Sequence, residues 1–177
     1  IPVYNEEECV NELYSQLKKV SKNLPCACEF LFINDGSIDQ TLELIKQIQQ
    51  NDARVSIVDL SRNYGKEIAM TAGLDYMIGD TLVIIDADLQ DNPDLLPLMV
   101  REIENGYDDV YAQRTSRNGE SWLKKSTSFL FYRLLAIMSS VPIQKDTGDF
   151  RMLSSKAIKA LRQLGENERN MKGLFSF

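Results

Sequence analysis

Histidine is absent from this 177-residue sequence, and that one absence removes several chemistries. No Ser-His-Asp or Cys-His nucleophile system can be built, no HExxH zinc site, and no imidazole base. Metal ligands must be mainly oxygens, which points to Mg or Mn rather than Zn. Acid–base work falls to Asp, Glu, Lys or Tyr. Cysteine is scarce as well: Cys9, Cys26 and Cys28 form an odd set without a CxxC pair. They read as incidental thiols in a reducing compartment. A GxGxxG dinucleotide turn is missing, and so are a signal peptide and an apolar run long enough to span a bilayer. The net charge of −6 excludes bulk electrostatic attraction to nucleic acid. What remains, 44% hydrophobic and 26% charged, suits a globular domain that buries its core without disulfides or a structural metal.

Short apolar runs alternate with amphipathic segments. Ile1 to Tyr4 reads as the end of a strand, followed by an acidic helix start at Glu6, Glu7 and Glu8. Val10, Leu13, Leu17 and Val20 then recur at helical spacing. Phe30 to Ile33 is a continuous apolar run of the kind buried on both faces of a sheet. A turn at Asn34-Asp35-Gly36-Ser37 follows, with Asp39 as cap of a helix carrying Leu42, Ile45 and Ile48. The cycle repeats with a strand at Val55–Leu60, a helix from Gly65 whose Ala69, Ala72 and Gly73 allow close packing, and a strand at Leu82–Ile85. Pro93 opens a further helix through Leu95, Leu98, Met99 and Ile103, and Val110–Ala112 is a last short strand. This alternation predicts an α/β fold with a mostly parallel sheet flanked by helices. No repeat or low-complexity linker divides it, so residues 1–177 are read as one domain. With residue 1 inside a strand and no starting Met, both ends are expected to be cut.

In such sheets ligands bind beyond the carboxyl ends of the strands, and the polar clusters fall there. Asp86-Ala87-Asp88-Leu89-Gln90-Asp91 ends an apolar strand and offers two carboxylates on one side of a tight turn. Mg or Mn is held by one or two carboxylates together with substrate phosphates. Such a cation neutralises a departing diphosphate. Asp35 belongs to the same edge, where its carboxylate is either part of a turn or an acceptor for the imide N–H of uracil.

Five segments in order carry a resemblance: Pro2-Val3-Tyr4-Asn5-Glu6, Asn34-Asp35-Gly36-Ser37-x-Asp39-x-Thr41, Arg62-Asn63-Tyr64-Gly65-Lys66, Asp86-Ala87-Asp88-Leu89-Gln90 and Asp146-Thr147-Gly148-Asp149-Phe150-Arg151. Together they resemble family 2, GT-A-type glycosyltransferases of the polyprenyl-phosphate branch, which includes dolichol-phosphate mannose synthase and bactoprenol glucosyltransferases. The resemblance covers nearly the whole sequence. It departs at Asn34, where the family usually has Asp. It implies a Rossmann-like GT-A domain that uses Mg or Mn and moves a sugar from a nucleotide sugar, UDP-linked, to a polyprenyl phosphate. By the same resemblance Pro2, Tyr4, Glu6, Asp35, Lys66, Asp86 and Gln90 would hold the donor. Asp88 would be the principal metal ligand, with Asp86 and Gln90 completing the site. Asp149, in the Thr-Gly-Asp-Phe-Arg loop, would face the reaction centre. Asp88 and Asp149 are therefore the candidate catalytic residues.

The acceptor side has its own pattern. Arg114, Arg117, Lys124, Lys125 and Arg133 stand against the single acid Glu120 and are interleaved with Trp122, Leu123, Phe129, Leu130 and Phe131. Residues 120–141 suit an amphipathic helix lying in a membrane interface, or a core helix with a solvated basic face. The resemblance favours the membrane, with Arg117, Arg133 and Arg151 gripping the lipid phosphate. It places the enzyme at the cytoplasmic face of a bacterial plasma membrane, held there by segments outside this sequence, the fragment itself being soluble. The apolar stretch 129–141 would serve equally to meet a second subunit. A saccharide acceptor and a non-catalytic nucleotide-binding domain are the alternatives. A haloacid-dehalogenase-like phosphatase fits less well, because its Asp-x-Asp follows the first strand.

Overall fold

The computed structural model describes residues 1–113 and 147–163. Residues Arg117 and Arg133 and the predicted interfacial helix over 120–141 lie outside the described residues. The elements are β1 (Pro2–Val3), α1 (Val10–Ser21), β2 (Phe30–Asn34), α2 (Thr41–Asn51), β3 (Val55–Asp59), α3 (Lys66–Tyr76), β4 (Leu82–Ile84), a 3-10 turn (Pro93–Leu95), α4 (Leu96–Glu104), β5 (Asp109–Gln113), β6 (Thr147–Leu153) and α5 (Ser155–Gln163). Among the described residues no helix is long and apolar enough to cross a membrane.

Two three-stranded sheets result, ordered β1-β2-β3 and β4-β6-β5. The first is parallel, with Phe30 to Asn34 paired in register with Val55 to Asp59. In the second, β6 runs antiparallel between β4 and β5. The α/β alternation is present as expected; its parallel pairing is confined to the first sheet, while both pairings of the second are antiparallel. The Thr147–Arg151 segment, expected to be a loop, is part of that strand.

The pleat explains how the sheets are covered on both sides. Phe30 and Phe32 of β2 join Phe150 and Met152 of β6 in one core with Leu13 and Leu17 of α1, Ile45 of α2 and Met99 of α4. Ile84 and Leu153 turn the other way and meet Met70 and Leu74 of α3 and Ile158 and Leu161 of α5. Alternate residues of a strand face opposite sides, so one strand supplies both cores. Gly73 of α3 faces Ile33, where an added Cβ would make an ordinary contact at 3.6 Å, so the packing there does not depend on glycine. At the far end of α3, Arg162 of α5 donates to the carbonyls of Leu74 and Met77 at 2.7–3.1 Å. A cation on those free carbonyls suits the negative end of the helix, and it fixes how α3 points at the site.

Several local expectations shift. Glu6 to Glu8 precede the helix instead of starting it, because α1 begins at Val10. Asp39 does cap α2, accepting the N–H of Thr41 at 3.0 Å. On α4 the core contacts come from Leu96 and Met99, while Leu95 and Leu98 are exposed. The 3-10 turn at Pro93 rotates the helix phase away from a simple 3.6-residue count.

Asn34, the departure from the family pattern, ends β2 with 1% exposure. Its amide donates to Asp59 Oδ1 at 2.7 Å and its oxygen accepts the N–H of Ser37 at 3.3 Å. An Asp at 34 would set two carboxylates against each other without a donor. Asn34→Asp is expected to cost roughly 1–3 kcal/mol at neutral pH. The new carboxyl would have its folded pKa raised, so the loss is full above that pKa and relieved as pH falls through it. Adding Asp59→Asn should restore stability by returning an amide donor. Urea unfolding of the three proteins at pH 7.5 and pH 5 checks this, and an unchanged Asn34→Asp protein at pH 7.5 would refute it.

Candidate functional site

Four loops leave the carboxyl ends of β1 to β4 and meet at one edge. The first two are stitched together by a reciprocal set of hydrogen bonds. Asn5 N–H donates to Ser37 Oγ at 3.0 Å, Glu6 N–H to Thr41 Oγ1 at 2.8 Å, and Glu7 N–H to Asp39 Oδ2 at 3.3 Å. In return Ile38 N–H donates to Asn5 Oδ1 at 2.9 Å and Gln40 N–H to Glu7 Oε2 at 2.9 Å. Asn5 takes φ 54°, a conformation that Asn tolerates better than most residues. The turn it makes presents its neighbours Tyr4 and Glu6 to the same cavity.

The third loop is clamped by Asp35. This carboxylate is 3% exposed and accepts the N–H of Tyr64 at 2.8 Å and of Gly65 at 2.9 Å, one on each oxygen. The chain reverses at Gly65, φ 95°, and enters α3 at Lys66. Gly36 makes the approach possible: a Cβ there would stand 2.4 Å from the carbonyl carbon of Arg62. Asp35 was expected to read a base, and it still lines the cavity. Its oxygens already serve two backbone donors, so holding the 62–65 loop is the role its geometry displays.

The fourth loop follows β4. Asp86 N–H donates to Asp91 Oδ2 at 3.3 Å and Gln90 N–H to Asp88 Oδ1 at 3.0 Å, with Leu89 at φ 60° between them. The antiparallel pairing of β6 sets Ile84 opposite Arg151. Two residues earlier on β6, Asp149 therefore comes level with Asp86. Lys66 joins the two, with Nζ 2.6 Å from Asp86 and 2.5 Å from Asp149. Burial works to lower the Lys66 pKa, but hydrogen bonds to Asp149 and Asp86 outweigh it and raise the value above that of a free lysine. Glu6 is pushed up by burial first and then by the charges of Asp88, Asp86 and Asp39.

The cavity is about 260 Å³ and is lined by Pro2, Tyr4, Glu6, Asp35, Lys66, Asp86 and Asp88 among others. Every donor and metal candidate except Gln90 is in that wall, and Gln90 is exposed one turn beyond it. Asn63, Gly65 and Ala69 also line it without having been given a role from sequence. Their place on the loop that follows β3 and the first turns of α3 was the available signal, since ligands gather at the carboxyl edge. Arg151 moves most from its expected place. It is 3% exposed, pairs with Asp109 at 2.9 Å and lies over the Tyr111 ring at 5.9 Å. Its place on β6 makes it a tie between β6 and β5 instead of an exposed ligand for an acceptor.

The donor chemistry of this edge fits a hard divalent cation. Asp86 and Asp88 are oxygen ligands at a strand end, open to the cavity. Among the described residues no set of three or more acidic or thiol side chains closes on a common cation position. A metal held here would take two carboxylates and complete its shell from phosphate and water, the usual habit of Mg.

Comparison with known proteins supplies a family. The pattern of Glycosyl transferase family 2 matches residues 1–162. The chain is 45% identical over its full length to an uncharacterized glycosyltransferase, YkcC, of Bacillus subtilis, covering 55% of that protein. It is 36% identical, again over its full length, to a bactoprenol glucosyl transferase of Shigella phage SfX, covering 58% of it. The chain thus spans a little over half of these relatives. Among solved structures, a mannosyltransferase from Pyrobaculum calidifontis in complex with GDP-Man and Mn2+ superposes with a TM-score of 0.62. The match covers 90% of this chain and 44% of that one at 17% identity, a likeness of fold.

The clamp on the third loop is open to a direct check. Asp35→Asn exchanges one acceptor oxygen for a donor and leaves a backbone N–H unmatched, at a cost of roughly 1–3 kcal/mol. Gly36→Ala forces a methyl into the Arg62 backbone at positive φ and is expected to cost at least about 2 kcal/mol. Thermal unfolding of both variants measures this; wild-type stability in either would remove the clamp as described.

Proposed function

The chain belongs to glycosyl transferase family 2, and from that premise we propose that it transfers a sugar from a UDP-linked nucleotide sugar to a polyprenyl phosphate. The reaction takes place at a membrane surface, on the cytoplasmic side where nucleotide sugars are made. The observation that carries this reading is the shared cavity edge. Asp35, Lys66, Asp86, Asp88 and Asp149 come from separate segments of the sequence and meet there. The bactoprenol glucosyl transferase relatives supply the acceptor class.

In this reading Pro2, Tyr4 and Glu6 wall the nucleotide, while Asp35 holds the loop that carries Asn63 and Gly65 against it. Asp86 and Asp88 would hold Mg or Mn, with Gln90 as the further candidate ligand. When bound, that cation supplies charge neutralisation for the departing diphosphate. A phosphate oxygen of the acceptor attacks the anomeric carbon as the bond from that carbon to the diphosphate oxygen breaks, with inversion. The acceptor phosphate is ionised at neutral pH, so no proton has to be removed from it and a strong base is not required. Asp149 orients the reactants at the junction of β4 and β6. Alignment and electrostatic stabilisation account for the rate. Arg117 and Arg133, in a segment rich in cations and aromatics, are the proposed grip on the lipid phosphate.

Titration with UDP, GDP and Mn2+ under thermal denaturation tests the donor side. A nucleoside diphosphate with Mn2+ is expected to raise the melting temperature by several degrees, about 2–4 °C per kcal/mol for a chain of this size. Asp88→Ala should abolish that rise. For the transfer step, a UDP-sugar panel with polyprenyl phosphate should show Asp149→Asn losing roughly a hundredfold in kcat with donor affinity retained. No response to any nucleotide, with hydrolysis of simple phosphate esters instead, would overturn the reading. Transfer to free saccharides but never to the lipid phosphate would replace the acceptor.

A further inference from the structure

Among the described residues that line the cavity, Lys66 alone is cationic, facing Glu6, Asp35, Asp86 and Asp88. Its ammonium spans two carboxylates from different elements, Asp86 at the end of β4 and Asp149 on β6. The two partners are unequal. The Asp149 side chain is 9% exposed, whereas that of Asp86 is 29% exposed and opens to the cavity. The lysine itself is fixed at its base, because it is the first residue of α3 behind the Asp35-clamped Gly65 turn. Its tip is a compact charge on a flexible four-carbon stem, able to change partners without moving the backbone.

We propose that Lys66 is the resident counter-cation of the donor site and couples the binding of the divalent cation to that of the nucleoside diphosphate. The inference rests on the donor reading given above. Without a nucleotide, Asp86 is engaged by Lys66, and a dication on Asp86 and Asp88 would be repelled by the ammonium beside it. Two like charges a few ångströms apart repel each other, and the repulsion is only partly screened at a half-buried site. A nucleoside diphosphate removes the conflict. Its oxygens accept the ammonium as Lys66 releases Asp86, and Asp86 becomes available to the metal while Lys66 keeps Asp149. Each ligand then strengthens the other, and by linkage the effect is equal in both directions. Lys66 acts on the metal through Asp86 and on the position of Asp149 directly. It is a positioning residue for the donor complex, and its exchange is what links the metal loop to β6.

The test measures binding, not turnover. Mn2+ affinity is read from the free-Mn2+ electron paramagnetic resonance signal, with and without UDP, for the chain and for Lys66→Gln, whose amide still donates to Asp149. Without UDP the variant is expected to bind Mn2+ roughly tenfold more tightly than the wild type. With UDP present, the enhancement of Mn2+ binding should fall by about tenfold or more relative to wild type. Lys66→Arg keeps the charge and should restore wild-type behaviour. Adding Asp88→Ala to Lys66→Gln should erase the gained Mn2+ affinity, which assigns it to this loop. Unchanged or weaker Mn2+ binding by Lys66→Gln without UDP overturns the proposal, as does a gain that survives Asp88→Ala. Should Lys66→Gln unfold, Lys66→Met and Lys66→Arg are compared in the same way, with equal Mn2+ affinity counting against the proposal. The nucleotide-free titration decides the role of Lys66 even if UDP fails to bind the wild type, an outcome that would sink the donor reading instead.

Discussion

Two backbone N–H groups in the turn just before α3, those of Tyr64 and Gly65, are both accepted by the buried Asp35 carboxylate. Much of the site follows from that arrangement. The orphan donors of Tyr64 and Gly65 would cost heavily if left buried and unmatched, so the third loop is drawn against the end of β2. Gly36 has no Cβ to prevent the approach. Gly65 can then turn with positive φ and start α3 where its first residue, Lys66, points into the cavity. Arg162 holds the other end of the helix, so the direction of α3 is determined twice. Lys66 in turn ties the Asp86–Asp91 loop to β6. A chain of local satisfactions, each a hydrogen bond or a close contact, converts a buried carboxylate into the geometry of a surface cavity.

The reversed strand has the same importance at the other side of the cavity. Had β6 entered the sheet parallel to β4, its amino end, with Asp149, would lie at the opposite edge from the four loops. Running antiparallel, it carries Asp149 to Asp86. Nothing in Thr147–Leu153 announces that direction. Strand direction comes from the connection, and here the preceding residues, 114–146, are long enough to bring the chain back either way. The parallel pairs of the first sheet were legible because each pair is joined by a helix of ordinary length between apolar runs. This is why the alternation could be read as a parallel sheet and the place of β6 could not.

The candidate site divides in a similar way. Position at a strand's carboxyl end is a property of sequence order, so Asp35, Asp86 and Asp88 could be assigned to one edge without coordinates. What each side chain touches depends on register and face. The resemblance implied that Arg151 would help to grip an acceptor phosphate. The register instead sets it across from Tyr111 and next to Asp109. Burial raises the Asp109 pKa, with Arg151 opposing that shift, so the pair is a structural tie formed at some electrostatic cost. Asn34 is the converse case. It departs from the family pattern for a reason that lies twenty-five residues away in the sequence, in Asp59 on the neighbouring strand. The stitch between the first two loops was equally hidden, since Asn5, Ser37 and Asp39 each look like ordinary turn formers until the two turns are brought together.

The electrostatics of the cavity constrain any ligand it takes. Glu6, Asp35, Asp86 and Asp88 line it, Asp149 adjoins it, and Lys66 alone opposes them among the described lining residues. An anionic diphosphate entering such a site without a cation meets repulsion from several sides. Glu6 is pushed up first by burial and then by the charges of Asp88, Asp86 and Asp39, in keeping with that crowding of carboxylates. In the proposed reaction a divalent cation would reverse the sign where the diphosphate lies, so the acidity of the wall and the proposed metal belong to one argument. The same reasoning reaches the acceptor. A lipid phosphate approaching Asp149 needs positive charge that the described wall does not supply in excess. The cationic, aromatic stretch between Arg114 and Arg133 is the proposed source of it. In the proposed reaction the charges are therefore divided. The donor's anion is met by metal and Lys66 at the strand ends, and the acceptor's by arginines and lysines on the segment that leads into β6.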